Sequence, residues 1–105
     1  MAVLTADDVM AWRFQTTMLR AGYDQGVVDI FLDRVVDALR AREAQAGDDP
    51  GTLAGILTSQ EVRATRLPRG RFRQGYLKEE VDALMAQIAD TLQAYEEHTR
   101  GSAPL

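Results

Sequence analysis

The sequence predicts an all-α protein made of two short-helix/loop/long-helix repeats, with coiled-coil-like packing of the long helices. The chain matches itself without a gap when Leu4 is laid on Leu57. Each copy contains a long stretch in which apolar residues recur every three or four positions, the signature of a helix with one buried face. A segment rich in Gly, Asp and Pro, which break helices, separates the copies.

The self-match extends over most of each copy. LTADDVMAWRF at 4–14 falls on LTSQEVRATRL at 57–67, and LRAGYDQGVVD at 19–29 falls on FRQGYLKEEVD at 72–82. Leu4, Thr5, Val9, Arg13, Arg20, Gly22, Tyr23, Val28, Asp29, Asp37 and Leu39 coincide with Leu57, Thr58, Val62, Arg66, Arg73, Gly75, Tyr76, Val81, Asp82, Asp90 and Leu92. Chance does not place the Leu-Thr, Gly-Tyr and Val-Asp pairs in one ungapped register. The chain therefore divides into a first repeat at 1–46, a linker at 47–56, and a second repeat with a short tail at 57–105.

Each copy opens on a helix cap. Thr5 and Thr58 can accept a hydrogen bond from an exposed backbone N–H, and Asp8 and Glu61, three residues later, can reach back to the cap. Short helices are expected near 6–12 and 59–65, with Trp12 and Tyr23 either packing the short helix on the long one or lining a pocket. Loops follow at about 14–23 and 67–76, the second marked by Pro68 and Gly70. Gly22 and Gly75 are expected to permit a backbone bend.

The long helices are expected at about 24–45 and 78–98. Val28, Phe31, Leu32, Val35 and Leu39 form the pairing seam of the first. Val81, Leu84, Met85, Ile88 and Leu92 form that of the second. Their period is close to 3.5 residues, which favours coiled-coil-like pairing. Fewer than four heptads are present, so neither helix is stable alone. A helix of about 22 residues is ~33 Å long, and a linker of about 11 residues reaches at most ~37 Å. A parallel pairing within one chain is therefore within reach, and it brings both loops to the same end.

A chain of 105 residues makes one small domain or two very small units, and buries only roughly 60–70% of its unfolded surface. Association through the long helices would add stability. The absence of cysteine excludes disulfides and thiolate metal sites and suits a reducing cytoplasm. No run of about 18 apolar residues is present, so no membrane span is expected. No basic region followed by an apolar core marks a signal peptide.

The net charge of -4 conceals one basic segment: Arg63, Arg66, Arg69, Arg71 and Arg73 follow one another with no acid between them. A dense basic segment in an acidic chain points to a local anionic partner and argues against a nucleic-acid coat. Nothing in the sequence suggests an enzyme, a cofactor or a metal site. His98 is the only histidine and falls near a helix end. The pairs Asp7/Asp8 and Asp48/Asp49 fall at a helix start and in the linker. No Gly-rich phosphate loop follows a strand.

LTADDV, LRAGYDQGVVDIFLDRV and their second copies resemble the N-terminal domain of the bacterial DivIVA family, especially its actinobacterial members with repeated units. The resemblance covers the chain except the linker and the tail after about Thr99. It implies a parallel coiled-coil dimer, peripheral binding to the inner face of the cytoplasmic membrane, and recruitment of cell-division or polar-growth proteins. In that family a phenylalanine beside an arginine precedes the Gly-Tyr pair and meets lipid. Phe72 and Arg73 match this pair, and Leu19 and Arg20 occupy its place in the first copy. The family's Gly-Tyr-Asp-x-x-Glu pattern is split here: the first copy has Asp24 and Val27, the second Leu77 and Glu80.

The second loop alternates apolar residues with arginines, which suits insertion into an anionic bilayer surface. Each cation contributes on the order of 1 kcal/mol there, and one buried aromatic adds about 2 kcal/mol. The expected membrane contacts are Leu19, Arg20, Arg69, Arg71, Phe72 and Arg73. In one alternative, Leu19 and Phe72 cap the core and the arginines pair with Glu79, Glu80 and Asp82; in another, the arginine cluster meets an acidic protein or a nucleic-acid backbone, against which the acidic remainder of the surface argues. As a whole-protein alternative, the chain is a soluble helical adaptor that binds another protein through its long helices.

Overall fold

The computed structural model describes residues 4–18, 22–45, 56–70 and 74–101, the side chains at 45 and 98–101 excepted. The expected linker, apart from Ile56, and the side chain of His98 lie outside this set. Most of the described residues are helical. In chain order the elements are α1 (Ala6–Ala11), β1 (Thr16–Thr17), β2 (Tyr23–Asp24), α2 (Gln25–Gln45), α3 (Ser59–Ala64), β3 (Gly75–Tyr76) and α4 (Lys78–Gly101).

The short helices begin on reciprocal caps. Thr5 Oγ1 accepts from the Asp8 N–H at 3.1 Å, and Asp8 Oδ2 accepts from the Thr5 N–H at 3.0 Å. Thr58 and Glu61 repeat the pattern at 3.1 and 3.0 Å. Such caps contribute about 1 kcal/mol each, too little to hold a six-residue helix by itself. The rest comes from packing: Val9 and Val62 are buried. A second tie comes from the long helices. Glu43 Oε2 accepts from the Ala6 N–H at 2.9 Å. Glu96 takes both the Ser59 N–H, at 2.8 Å, and the Ser59 hydroxyl, at 2.6 Å. Each short helix is thus pinned near the far end of its long helix and runs back along it toward the loops.

The two long helices start differently. Asp24 Oδ1 caps α2 by accepting from the Val27 N–H at 3.1 Å. Before α4 stands Leu77, which has no side-chain acceptor. Its carbonyl takes the Glu80 and Val81 N–H groups, both at 3.1 Å.

One apolar seam runs along α2 and α4. Val35, Leu39, Leu84, Ile88 and Leu92 have no exposed surface, and Val28, Phe31 and Val81 are buried. Leu32 and Met85 are half-buried against them. The helices run in the same direction. Val28 and Val81 meet beside Tyr23 at the loop end. Farther along, Leu39 and Leu92 share the main core, and beyond them the charges of Arg42 and Glu43 act on the Tyr95 phenol. The Leu4 N–H, donating to Thr91 Oγ1 at 3.3 Å, also ties the first half to the second.

The loops contain the main departure from the sequence reading. Parts of both lie in a small antiparallel ladder ordered β1-β3-β2. Thr16 and Tyr23 flank Tyr76, Thr17 and Asp24 flank Gly75, and Arg69 bridges to the outer side of Tyr23. Strands from the two halves therefore alternate.

The role expected of Gly22 and Gly75 is corrected here. Neither adopts a left-handed backbone; the glycines are required because two backbones touch. A Cβ on Gly22 would lie 2.5 Å from the Tyr76 carbonyl oxygen and 2.8 Å from the Gly75 carbonyl carbon. A Cβ on Gly75 would lie 2.8 Å from the Gly22 carbonyl carbon. Backbone atoms at those distances cannot rotate away as a side chain could. Gly75→Ala should therefore lower stability by about 2 kcal/mol or more, measured by urea denaturation. Gly26→Ala should have a much smaller effect, because its nearest neighbour is the end of the Asp24 side chain at 3.4 Å.

Candidate functional site

The ladder gathers both loops at one end of the helix pair. Backbone hydrogen bonds extend it on each side: the Asp24 N–H donates to the Pro68 carbonyl, and the Leu77 N–H to the Gln15 carbonyl, both at 2.9 Å. The Gly70 N–H donates to the Gly22 carbonyl at 2.8 Å. Each bond crosses between the halves.

Side chains cross as well. The Tyr23 hydroxyl donates to Asp82 Oδ1 at 2.7 Å, and the Tyr76 hydroxyl to Asp29 Oδ1 at 2.8 Å. Tyr23 and Tyr76 coincide in the self-match, as do Asp29 and Asp82, so one contact is made twice. Phe14 stacks at a tilt on Tyr76, with centroids 5.0 Å apart. Arg69 lies over the Tyr23 ring, 5.6 Å from its centroid. Lys78 Nζ bonds Asp82 Oδ2 at 2.7 Å.

A third contact is deliberately unequal in its chemistry. Glu80 Oε1 accepts from the Gln15 N–H at 2.7 Å. In the self-match Glu80 coincides with Val27, and Gln15 with Pro68. The half that lacks the carboxylate therefore faces a residue that lacks the N–H.

Among the expected membrane contacts, the described residues include only Arg69, which is exposed at the ladder edge. Leu19, Arg20, Arg71, Phe72 and Arg73 lie outside them. Met18, just before Leu19 in sequence, is 70% exposed. Of the acids considered as arginine partners, Asp82 binds Tyr23 and Lys78, and Glu80 binds a backbone N–H. Arg63 instead pairs with Asp90 at 3.0 Å and bonds Gln93 at 2.8 Å.

Sequence reasoning did not assign roles to Gln15, Asp29, Glu43 and Glu96, and considered Asp82 only as an arginine partner. Asp29/Asp82 and Glu43/Glu96 each coincide in the self-match, and that is the signal that could have found them. Polar residues kept in both copies at one place are candidates for a contact that the fold makes twice.

Two open clefts flank the ladder, one in each half. The first, about 420 Å³, lies among Met10, Trp12, Arg13, Asp29, Asp33 and Tyr76. The second, about 560 Å³, lies among Arg63, Thr65, Arg66, Arg69, Lys78 and Tyr23. Among the described residues no group of His, Cys, Asp or Glu side chains could hold a metal ion. No helix there is long and apolar enough to cross a membrane.

No protein-family model, curated protein or solved structure matches the chain.

The tyrosine–aspartate contacts make stability depend on pH. Burial, and then the hydrogen bond and charge of Asp82, raise the Tyr23 pKa above its usual value. Burial and Asp29 do the same to Tyr76. Unfolded tyrosine ionises at about pH 10, so this stabilisation is complete below that pH and is lost as pH rises through the folded values. For Asp82, burial acts to raise the pKa, but hydrogen bonds from Lys78 and Tyr23 outweigh it and the net shift is downward. That contribution is present above about pH 4 and is lost as pH falls through the folded value. Replacing both tyrosines (Tyr23→Phe with Tyr76→Phe) should cost about 1 kcal/mol per hydrogen bond at neutral pH. It should also flatten the alkaline loss in urea denaturation run across a pH series, leaving the share of Tyr95, whose pKa is raised by burial and Glu43.

Proposed function

We propose that the chain is a tandem pair of DivIVA-like units whose long helices pack in a parallel, coiled-coil-like manner. In this reading it is a non-enzymatic targeting scaffold at the inner face of the cytoplasmic membrane. The loop end binds anionic lipid, and the remaining surface recruits cell-division or polar-growth proteins.

The ladder is the observation that carries this reading. Tyr23 and Tyr76 are direct neighbours in it, so both Gly-Tyr turns stand at one end. Leu19/Arg20 and Phe72/Arg73 precede those turns in sequence by only a few residues. In this reading the tips lie with the turns they precede and act on one surface, and two weak contacts joined in one body bind far more tightly than either alone. Met18, after the β1 edge of the ladder, and Arg69, at its opposite edge, are both exposed, and a bilayer interface favours apolar groups and cations together.

The soluble-adaptor reading also has an observation behind it. Ile30 is 66% exposed and Val27 38% exposed on the outer face of α2, where the self-match places Ala83 and Glu80 on α4. Co-sedimentation with anionic liposomes separates the two readings. The membrane reading expects the wild type to pellet, Phe72→Ala to lower partitioning by about tenfold or more, and Arg73→Ala to lower it by about fivefold. A wild type that stays in the supernatant would leave the adaptor reading standing.

A further inference from the structure

The two clefts occupy the same place in the two halves, so each is a control for the other. Their walls share a framework, with Val9, Arg13, Asp29 and Tyr76 in the first matching Val62, Arg66, Asp82 and Tyr23 in the second. Around that framework the residues diverge mainly toward positive charge. Met10, Thr16 and Gln25 of the first half correspond to Arg63, Arg69 and Lys78 of the second, and Asp33 corresponds to Ala86. Three cations are gained and one carboxylate is lost, against one cation given up where Arg40, 2.8 Å from the Met10 sulfur, corresponds to Gln93. The first half folds without those cations, so the architecture does not require them.

Shape changes together with charge. Thr65 replaces Trp12 and Ala86 replaces Asp33, and the second cleft is larger, about 560 Å³ against 420 Å³. Arg13 is committed to its own helix end, donating to the Met10 and Trp12 carbonyls at 3.1 and 2.9 Å. Its counterpart Arg66 is exposed on the wall of the wider cleft. Arg63 and Lys78 are held in place by Asp90 and Asp82. Among the described residues, Asp90 and Asp82 offset two of these cations, and Arg66 adds positive charge to the wall. Its floor, at Val62, Leu67 and Met85, is apolar.

We infer that this cleft between α3 and α4 binds a short acidic peptide segment of a partner protein, with an apolar side chain seated on the floor. Length favours a peptide over a lipid headgroup. From Lys78 to Ala89 the wall follows α4 for about 16 Å, the span of about five extended residues. A bilayer touching the loop end would meet only one extremity of that wall. The site shares Arg69 with the lipid contact proposed above, but Arg66 and the α4 wall lie outside that contact, so the two can fail independently.

The test is an NMR titration of the ¹⁵N-labelled full chain with a blocked hexapeptide, Glu-Asp-Leu-Glu-Asp-Leu, and with a control in which serines replace the leucines. The expected shifts cluster at residues 62–69 and 85–89, and the control binds more weakly. Arg66→Glu and Ala86→Asp change exposed residues, so both variants should keep the wild-type urea transition. Each should weaken the hexapeptide by about tenfold. Writing the second cleft into the first, with Met10→Arg and Asp33→Ala, should produce a second set of shifts around residues 9–14. The inference is overturned if the hexapeptide shifts nothing, if both cleft variants bind it as the wild type does, or if anionic vesicles perturb these amides and the hexapeptide does not.

Discussion

The backbone contact between Gly22 and Gly75 is the constraint on which the rest of the fold depends. With a 2.5 Å approach forbidden to any side chain, the two turns can meet only as bare backbone. Their meeting sets the ladder, and the ladder sets where α2 and α4 begin. Because both helices leave from one point in one direction, their apolar residues pack together with those of the short helices. The short helices are then tied back along the long ones by Glu43 and Glu96. Residues far apart in sequence are thus held by a patch of a few backbone atoms.

Around that centre the two halves share a skeleton and diverge at its margins. Contacts that occur twice, such as tyrosine to aspartate and glutamate to helix start, maintain the frame. Those that occur once carry the differences: the arginines at 63 and 69, Trp12 against Thr65, and Asp24 against Leu77. A fold assembled from two unlike copies has one set of positions to hold itself together and another that can change without loss of the frame.

The parts of the fold that were legible in the sequence are those governed by local rules. Threonine followed by an acid three residues later marks a capped helix start, and α1 and α3 begin there. An apolar period near 3.5 marks a buried helix face, and the buried residues of α2 and α4 follow it. The ladder was not legible, because two-residue strands have no period to detect and Thr16-Thr17 looks like any polar loop. The Gly-Tyr pair was visible as a repeated feature, but its reason lies in the opposite turn, which no local rule reaches. The loop arginines were legible as a charged segment. The wall that Arg63, Arg66 and Arg69 form against α4 was not, because it depends on how α3 packs.

The unequal contact at Gln15 and Glu80 has a consequence for assembly symmetry. If two first halves paired with each other, each Gln15 N–H would face Val27, which has no acceptor. If two second halves paired, each Glu80 carboxylate would face Pro68, which has no donor. Each such mismatch costs on the order of 1 kcal/mol, and an isologous pair contains it twice. Unlike halves therefore match better than like ones. Two chains that exchanged halves would satisfy the same rule by joining first to second in both directions, closing as a two-membered ring. Longer exchange would propagate head to tail, never by a two-fold axis through identical halves.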